Sequence, residues 1–291
     1  MNTEFPDPRY LDLDLWPTEQ AVAAMIEGQM AALAAVHAQC EAIAQAADAA
    51  AERLGEAGRL VYVGAGTSGR IAVQDGAELY PTFNWPTARV HFVMAGGTRA
   101  LIEAVEGAED DSEAAREALV EAKVGPSDVV IGLAASGRTP FTIAALETAR
   151  AAGALTIAVA NNPGAKLLAV AERPILIETG AEVIAGSTRM KAGTAQKAVL
   201  NALSSAIMVK RGLVYRGRMV NMRVSNHKLR QRGEVMVAEL SGTSHAEAQA
   251  ALDRADNDVR LAVLLAQGLS VEAARERLAL SGGRLREALR Q

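Results

Sequence analysis

An apolar run, Leu60-Val61-Tyr62-Val63, passes without a break into Gly64-Ala65-Gly66-Thr67-Ser68-Gly69-Arg70, after which helical periodicity begins. A strand that turns through glycines straight into a helix demands a sheet with helices packed on it. Gly64, Gly66 and Gly69 permit a sharp turn and a close approach of backbone to ligand. Thr67 and Ser68 add hydroxyl donors beside the positive end of the helix. Such a loop cradles an anion, with phosphate as its natural occupant. The glycines also spell G-x-G-x-x-G, which in a dinucleotide fold is followed, about 20 residues on, by an acid that holds the ribose. The second strand, His91-Phe92-Val93-Met94, instead runs into Ala95-Gly96-Gly97 with no Asp or Glu at its tip.

A second loop of the same kind follows Asp128-Val129-Val130-Ile131-Gly132-Leu133, namely Ala134-Ala135-Ser136-Gly137-Arg138-Thr139-Pro140. Thr139 suits a helix N-cap and Pro140 the first helical position. Two strand-to-helix loops rich in Ser, Thr and Gly fit a compact sugar-phosphate site better than an extended dinucleotide.

Strand patterns near 59–63, 90–94, 128–133, 155–160 and 174–178 alternate with helical ones. The alternation predicts an α/β fold with a doubly wound, mostly parallel five-stranded sheet and helices on both faces. Ligands of such sheets bind beyond the carboxyl ends of the strands, where both glycine-hydroxyl loops fall. Residues 1–17, with Pro6, Pro8 and Pro17, read as an extended N-terminal arm, and 18–54 as two alanine-rich helices or one bent helix. Beyond about 188 no strand pattern recurs, and helices are expected over 189–212 and 218–240. Residues 18–240 are thus expected to form the sugar-phosphate-binding domain. A small helical C-terminal domain of three or so helices should follow over 241–291, opened by the capping box Ser244-His245-Ala246-Glu247.

Half of the 291 residues are hydrophobic, ample for a core. The net charge of −4, with no basic segment interleaved with aromatics, leaves no footprint for nucleic acid. The densest cationic run, from Lys210-Arg211 to Arg232, reads as a solvated or interface helix face. No secretory h-region or membrane-length apolar run is readable, which predicts a cytoplasmic protein without a membrane partner. Cys40 has no disulfide partner and reads as a small core residue. His37, His91, His227 and His245 lack metal-ligand spacing, so no metal is expected.

Further clusters bring charge toward the carboxyl edge of the sheet. Asp75-Gly76-Ala77-Glu78-Leu79-Tyr80-Pro81-Thr82 follows the first loop, and Ala104-Val105-Glu106-Gly107-Ala108-Glu109-Asp110 follows the second strand. The stretch Gly180-Ala181-Glu182-Val183-Ile184-Ala185-Gly186-Ser187-Thr188-Arg189-Met190-Lys191-Ala192-Gly193-Thr194-Ala195-Gln196-Lys197 follows the last strand with hydroxyls and cations. Together they fit an anionic, hydroxylated substrate.

In the order and spacing of these motifs the chain resembles the N-acetylmuramic acid 6-phosphate etherases, built on the sugar isomerase (SIS) domain. The resemblance covers nearly the whole chain, including Asp12-Leu13-Asp14 of the arm and the helical tail. It implies cleavage of the D-lactyl ether of N-acetylmuramic acid 6-phosphate to N-acetylglucosamine 6-phosphate and D-lactate, with no cofactor. It also implies a homodimer with shared active sites. By motif match Glu78 takes the place of the proton donor and Glu109 that of the second catalytic carboxylate, which removes the C2 proton. Glu106 and Asp110 flank Glu109 in supporting roles, with Glu106 an alternative to it. Ser136, Gly137, Arg138 and Thr139, with Thr67 and Ser68, are expected to bind phosphate, though Ser68 also suits a helix N-cap. Ser187, Thr188, Arg189 and Lys191 are expected at the lactyl carboxylate or sugar hydroxyls, and the two cations serve equally at a subunit interface. Many etherases read S-E-C-P-P-T-F-G around the acid, and Leu79 and Tyr80 depart from that pattern. Two rival readings share the ligand: an aldose-ketose isomerase on the same domain, and a non-catalytic sugar-phosphate sensor.

Overall fold

Five parallel strands, β1 (Leu60–Gly64), β2 (Val90–Met94), β3 (Val129–Ala134), β4 (Leu155–Ala160) and β5 (Arg173–Leu176), form one sheet in the order β2-β1-β3-β4-β5. They belong to a computed structural model that describes residues 2–290. β1, β3 and β4 are buried along their whole length, which is why their sequences are continuous apolar runs rather than alternating ones. The doubly wound α/β sheet expected from the sequence is therefore present, its strands shifted by at most two residues from the pattern.

Helices α1 (Thr18–His37) and α2 (Cys40–Arg53) precede β1, and α3 (Gly66–Phe83), α4 (Ser112–Glu121), α5 (Pro140–Ala151) and α6 (Lys166–Val170) connect successive strands. A long helix, α7 (Lys191–Lys210), follows β5. Gly132 shows how closely helix and sheet approach: a Cβ there would stand 2.9 Å from Leu146 Cγ on α5. Val61, Val63, Val130, Leu146 and Ala149 share the core on this face. The chain winds from β1 outward to β2 and then returns to β3 on the other side of β1. The loops after β1 and β3 therefore leave adjacent strands in opposite directions and open a crevice at the carboxyl edge.

The chain divides into two compact units. One comprises the described residues up to Ala77 with Ala88–Ala206, and the other Glu78–Thr87 with Ile207 onward. The division thus falls inside α3 and α7 rather than near residue 240. The second unit holds α8 (His227–Ser241), α9 (His245–Arg254), α10 (Val259–Ala266), α11 (Val271–Leu280) and α12 (Leu285–Ala288). Val237, Leu252, Val263 and Leu264 lie at the centre of its own core. The capping box at Ser244 and Glu247 is present, and four helices follow α8.

Three expectations are corrected. The N-terminal arm is not extended but coils through short 3-10 turns at Asn2–Glu4, Pro8–Tyr10 and Leu13–Leu15. Asp7 caps the second of these by accepting from Arg9 N. The helix expected from 218 starts only at His227, where the Asn226 side chain accepts from Leu229 N. Upstream, Tyr215 and Arg218 pair across a tight turn. Cys40 is exposed at the start of α2 rather than packed in the core. No single helix among the described residues is long and apolar enough to cross a bilayer, and α1 and α2 are bent by 58° at their junction.

Candidate active site

The first cradle is built by the shortness of the β1–α3 turn. β1 ends at Gly64 and α3 begins at Gly66, whose φ of +53° lies in the left-handed region that favours glycine. Gly69 N donates to Ala65 O at 3.1 Å and closes the first turn, so the N–H groups of Gly66, Thr67 and Ser68 precede any helical acceptor. Gly69 leaves no room for a side chain, since a Cβ there would lie 2.8 Å from Gly64 O. Thr67 is half-buried and Ser68 buried beside these free donors.

The second cradle follows β3, the strand beside β1. Gly137 turns with φ +63°, and a Cβ there would stand 2.2 Å from Ala165 Cβ. Ser136 Oγ accepts from Arg138 N at 3.1 Å, which folds the loop over its own hydroxyl. Thr139 occupies the N-cap of α5 with Pro140 next to it, but its side chain makes no capping hydrogen bond. Its hydroxyl is not committed to the helix, and the Arg138 side chain is exposed.

Glu109 reaches the same unit from the loop after β2. That loop turns at Gly97 (φ +67°) and Gly107 (φ +71°) and carries Glu109 on a short 3-10 turn, Ala108–Asp110. A cavity of about 370 Å³ is lined by Ala65, Gly66 and Arg70 from the cradle and by Glu103, Glu106 and Glu109 from the loop. Glu103 is paired with Arg99, and Asp111 caps α4 through Ala114 N, whereas Glu106 and Glu109 are exposed. The helix N-terminus and the acid loop therefore share one opening.

The third motif meets the first at α7. A Cβ on Gly193 would stand 3.5 Å from Thr67 Cγ2 and 3.2 Å from Thr188 O, so the first turns of α3 and α7 lie side by side. Glu182, fully buried, caps α7 by accepting from Lys191 N at 2.8 Å and Ala192 N at 2.9 Å. Burial pushes the Glu182 carboxyl up, and the two N–H donors and the Lys191 charge oppose this. Lys191 is itself 8% exposed, and its ammonium donates to Ala181 O at 2.7 Å. Burial lowers its pKa, partly offset by the Glu182 charge. Ser187 and Thr188 are half-buried and Arg189 is exposed.

Glu78 lies in the second unit, exposed on α3. The two residues that depart from the etherase pattern have packing roles there. Leu79 is 2% exposed, and the Arg223 guanidinium lies 5.1 Å above the Tyr80 ring. Sequence reasoning placed Glu182, Arg70 and Asn162 within motifs but gave none of them a role. Asn162 Nδ2 donates to Ala135 O at 2.9 Å and to Thr3 Oγ1 at 3.0 Å, and Gly186 N donates to Thr3 O. The buried Thr3 thus joins the turn after β4 to the third motif. An Asn-Asn-Pro-Gly turn announces a bend but not its partners. Among the described residues no three His, Cys, Asp or Glu side chains are grouped as metal ligands.

A parallel sheet with two hydroxyl-glycine cradles at its reversal point and an acid loop beside them is the arrangement of a SIS-type domain. Residues 40–150 match the family described as the glucokinase regulatory protein N-terminal SIS domain. The fold is similar to that of a phosphoheptose isomerase from Francisella tularensis, with a TM-score of 0.50 at 20% identity over 67% of this chain and 100% of the other. It is also similar to a candidate phosphosugar isomerase involved in capsule formation from Bacteroides fragilis, with a TM-score of 0.53 at 16% identity over 72% and 98%. Across 99% of its length the chain is 48% identical to the N-acetylmuramic acid 6-phosphate etherase of Deinococcus radiodurans, covering 94% of that protein. It is 44% identical to the etherase of Rubrobacter xylanophilus over 99% of this chain and 95% of the relative. The chain belongs to the N-acetylmuramic acid 6-phosphate etherase family.

Proposed function

We propose that this protein cleaves the D-lactyl ether of N-acetylmuramic acid 6-phosphate, consuming one water and releasing N-acetylglucosamine 6-phosphate and D-lactate. The observation that carries the reading is the single cavity shared by Glu109 and the amino end of α3. A phosphate held at the cradles by free N–H groups and hydroxyls places the sugar within reach of a carboxylate.

The open-chain sugar has an aldehyde at C1 that acidifies the proton on C2. Glu109 takes that proton, and the C3–O bond breaks as Glu78 protonates the departing lactate oxygen. Water then adds at C3 of the unsaturated aldehyde, with its proton going to C2. No electrons are transferred to a second molecule, so the route needs no redox cofactor. Thr67, Ser68, Ser136, Gly137, Arg138 and Thr139 hold the phosphate, and Ser187, Thr188 and Arg189 meet the lactyl carboxylate or sugar hydroxyls. Lys191 joins them once its ammonium leaves Ala181 O.

The functional form in this reading is a homodimer in the cytoplasm with shared active sites. α1 supports it by an inverted pattern: it buries Ala24, Gly28, Ala32 and Val36 and exposes Val22, Ile26, Met30 and Leu33. The exposed face of α1 thus displays four large apolar side chains, and a second copy covers them.

The test is D-lactate release from N-acetylmuramic acid 6-phosphate by the purified protein. Stoichiometric release of lactate and N-acetylglucosamine 6-phosphate supports the reading. Conversion of the sugar phosphate to a ketose, or binding without lactate release, overturns it in favour of the isomerase or the sensor.

A further inference from the structure

The Arg70 guanidinium leaves α3 one turn after Gly66 and spans to the loop that carries Glu109. Its Nε donates to Ala100 O at 3.0 Å and to Leu101 O at 3.1 Å, and its Nη2 donates to Glu103 O at 2.9 Å. These acceptors lie between Gly96-Gly97 and Gly107, the three residues at which the loop takes left-handed backbone. The Ala108–Asp110 turn itself packs on α5, with Ala108 against the core, but residues 101–106 have few anchors of their own. Ile102 is 87% exposed, and Glu103, Ala104, Glu106 and Glu109 are exposed, while Ala100 is buried and Val105 packs under Gly96. Arg70 also lines the cavity shared by Glu109 and the cradle.

We propose that Arg70 is a positioning residue that locks the Glu109 loop onto the phosphate-cradling turn and so, together with the packing of the Ala108–Asp110 turn on α5, sets the distance between bound phosphate and catalytic carboxylate. The reason is geometric. The first turn of α3 offers N–H groups to the anion, and the same turn of helix sends a planar fork to three carbonyls of the acid loop. A lysine has one compact ammonium and cannot span the acceptors in this way, so Arg70→Lys is not a conservative change here. The proposal rests on the etherase reading, because the loop matters through Glu109.

The experiment compares wild type with Arg70→Ala and Arg70→Lys for D-lactate release, N-acetylglucosamine 6-phosphate binding by calorimetry, and hydrogen exchange over residues 98–109. A carboxylate displaced by about 1 Å loses roughly a hundredfold in rate. Both variants are therefore expected to lose kcat on that scale while keeping affinity for the product. Low millimolar guanidinium should restore part of the activity of Arg70→Ala but not of Arg70→Lys, and amide exchange in the loop should rise in both. Unchanged kcat and loop exchange overturn the proposal. So does a parallel fall in product affinity and rate without rescue, which marks a purely structural role. If wild type releases no lactate, the functional reading fails, while loop exchange in the variants still decides whether Arg70 forms the joint.

Discussion

The Tyr62 phenol on β1 donates to Asp75 Oδ2 on α3 at 3.0 Å, with the two side chains 1% and 5% exposed. Asp75 Oδ1 accepts from Asn201 Nδ2 at 2.7 Å and from Ser204 Oγ at 3.2 Å, both on α7. One carboxylate therefore fastens a central strand to the two helices whose first turns carry the hydroxyl motifs. Burial, the Asp75 charge and their hydrogen bond push the Tyr62 phenol well above its ordinary value of 10.0. The raised folded-state pKa gives a stabilising contribution that is complete below about pH 10 and is lost as pH rises above it, where the unfolded tyrosine ionises first. Tyr62→Phe is expected to lose about 1 kcal/mol at pH 7. Urea unfolding at pH 7 and in the alkaline range should show the gap from wild type closing as pH rises.

Asp128 has the opposite sign. Its oxygens accept from Arg59 N, Nε and Nη2 and from Gly125 N, at 2.7–3.1 Å. Burial would raise its pKa, but the Arg59 side-chain bonds and the two backbone N–H groups together hold it below 3.8. Its contribution is present above the unfolded pKa and disappears as pH falls through the lowered one. Asp128→Asn is expected to cost about 2 kcal/mol at neutral pH, a value discounted for the solvent around Arg59. Thermal melts should show wild type and variant converging as pH falls below the ordinary carboxylate value of 3.8.

Gly137→Ala tests the second cradle. The backbone there is left-handed, and the new methyl would meet Ala165 Cβ at 2.2 Å. Strain and overpacking together are expected to cost about 2–3 kcal/mol. Because the adjoining Ser136–Arg138 turn would shift with it, inorganic phosphate should bind more weakly as well. Calorimetry beside a melting curve checks both. Full stability with wild-type phosphate affinity would remove Gly137 from the site.

The sheet was legible in the sequence because β1, β3 and β4 are buried on both faces and must be continuously apolar, and glycine-rich turns mark their carboxyl ends. Gly137 and Gly66 were legible for the same reason: a positive φ leaves few other choices. What stayed hidden depends on partners distant in sequence. Thr3 reads as part of a proline-spaced arm until Asn162 and Gly186 are placed against it. Glu182 falls within the third motif, but nothing in the sequence shows that its oxygens meet the first N–H groups of α7. The cationic stretch before His227 carries enough helical periodicity to resemble a helix, and only the Asn226 cap fixes the true start. The division between the units was illegible because helical periodicity runs through Ala77-Glu78 without a break.

The exposed face of α1 makes the proposed dimer testable. Ile26 and Met30 are 56% and 65% exposed in the middle of the helix, away from its buried alanine stripe. Replacing either with Glu puts a charge into the proposed contact while leaving the monomer's own packing intact. Ile26→Glu and Met30→Glu are expected to elute as monomers with native circular dichroism, measured by chromatography with light scattering. Dimers as tight as wild type would move the interface off α1.

The roles of the two carboxylates can be separated by isotope exchange as well as by rate. Glu78→Gln and Glu109→Gln should each lower D-lactate release by at least about a hundredfold, the usual loss when a general acid or base is removed. In D₂O the two variants should differ. If Glu109 removes the C2 proton and Glu78 assists the leaving oxygen, Glu78→Gln still deprotonates the open-chain sugar and returns deuterium to C2, without lactate loss. Glu109→Gln should incorporate none. Proton spectra of recovered N-acetylmuramic acid 6-phosphate read this directly. The reverse pattern would exchange the two roles, and near-normal turnover in either variant would remove that residue from the mechanism.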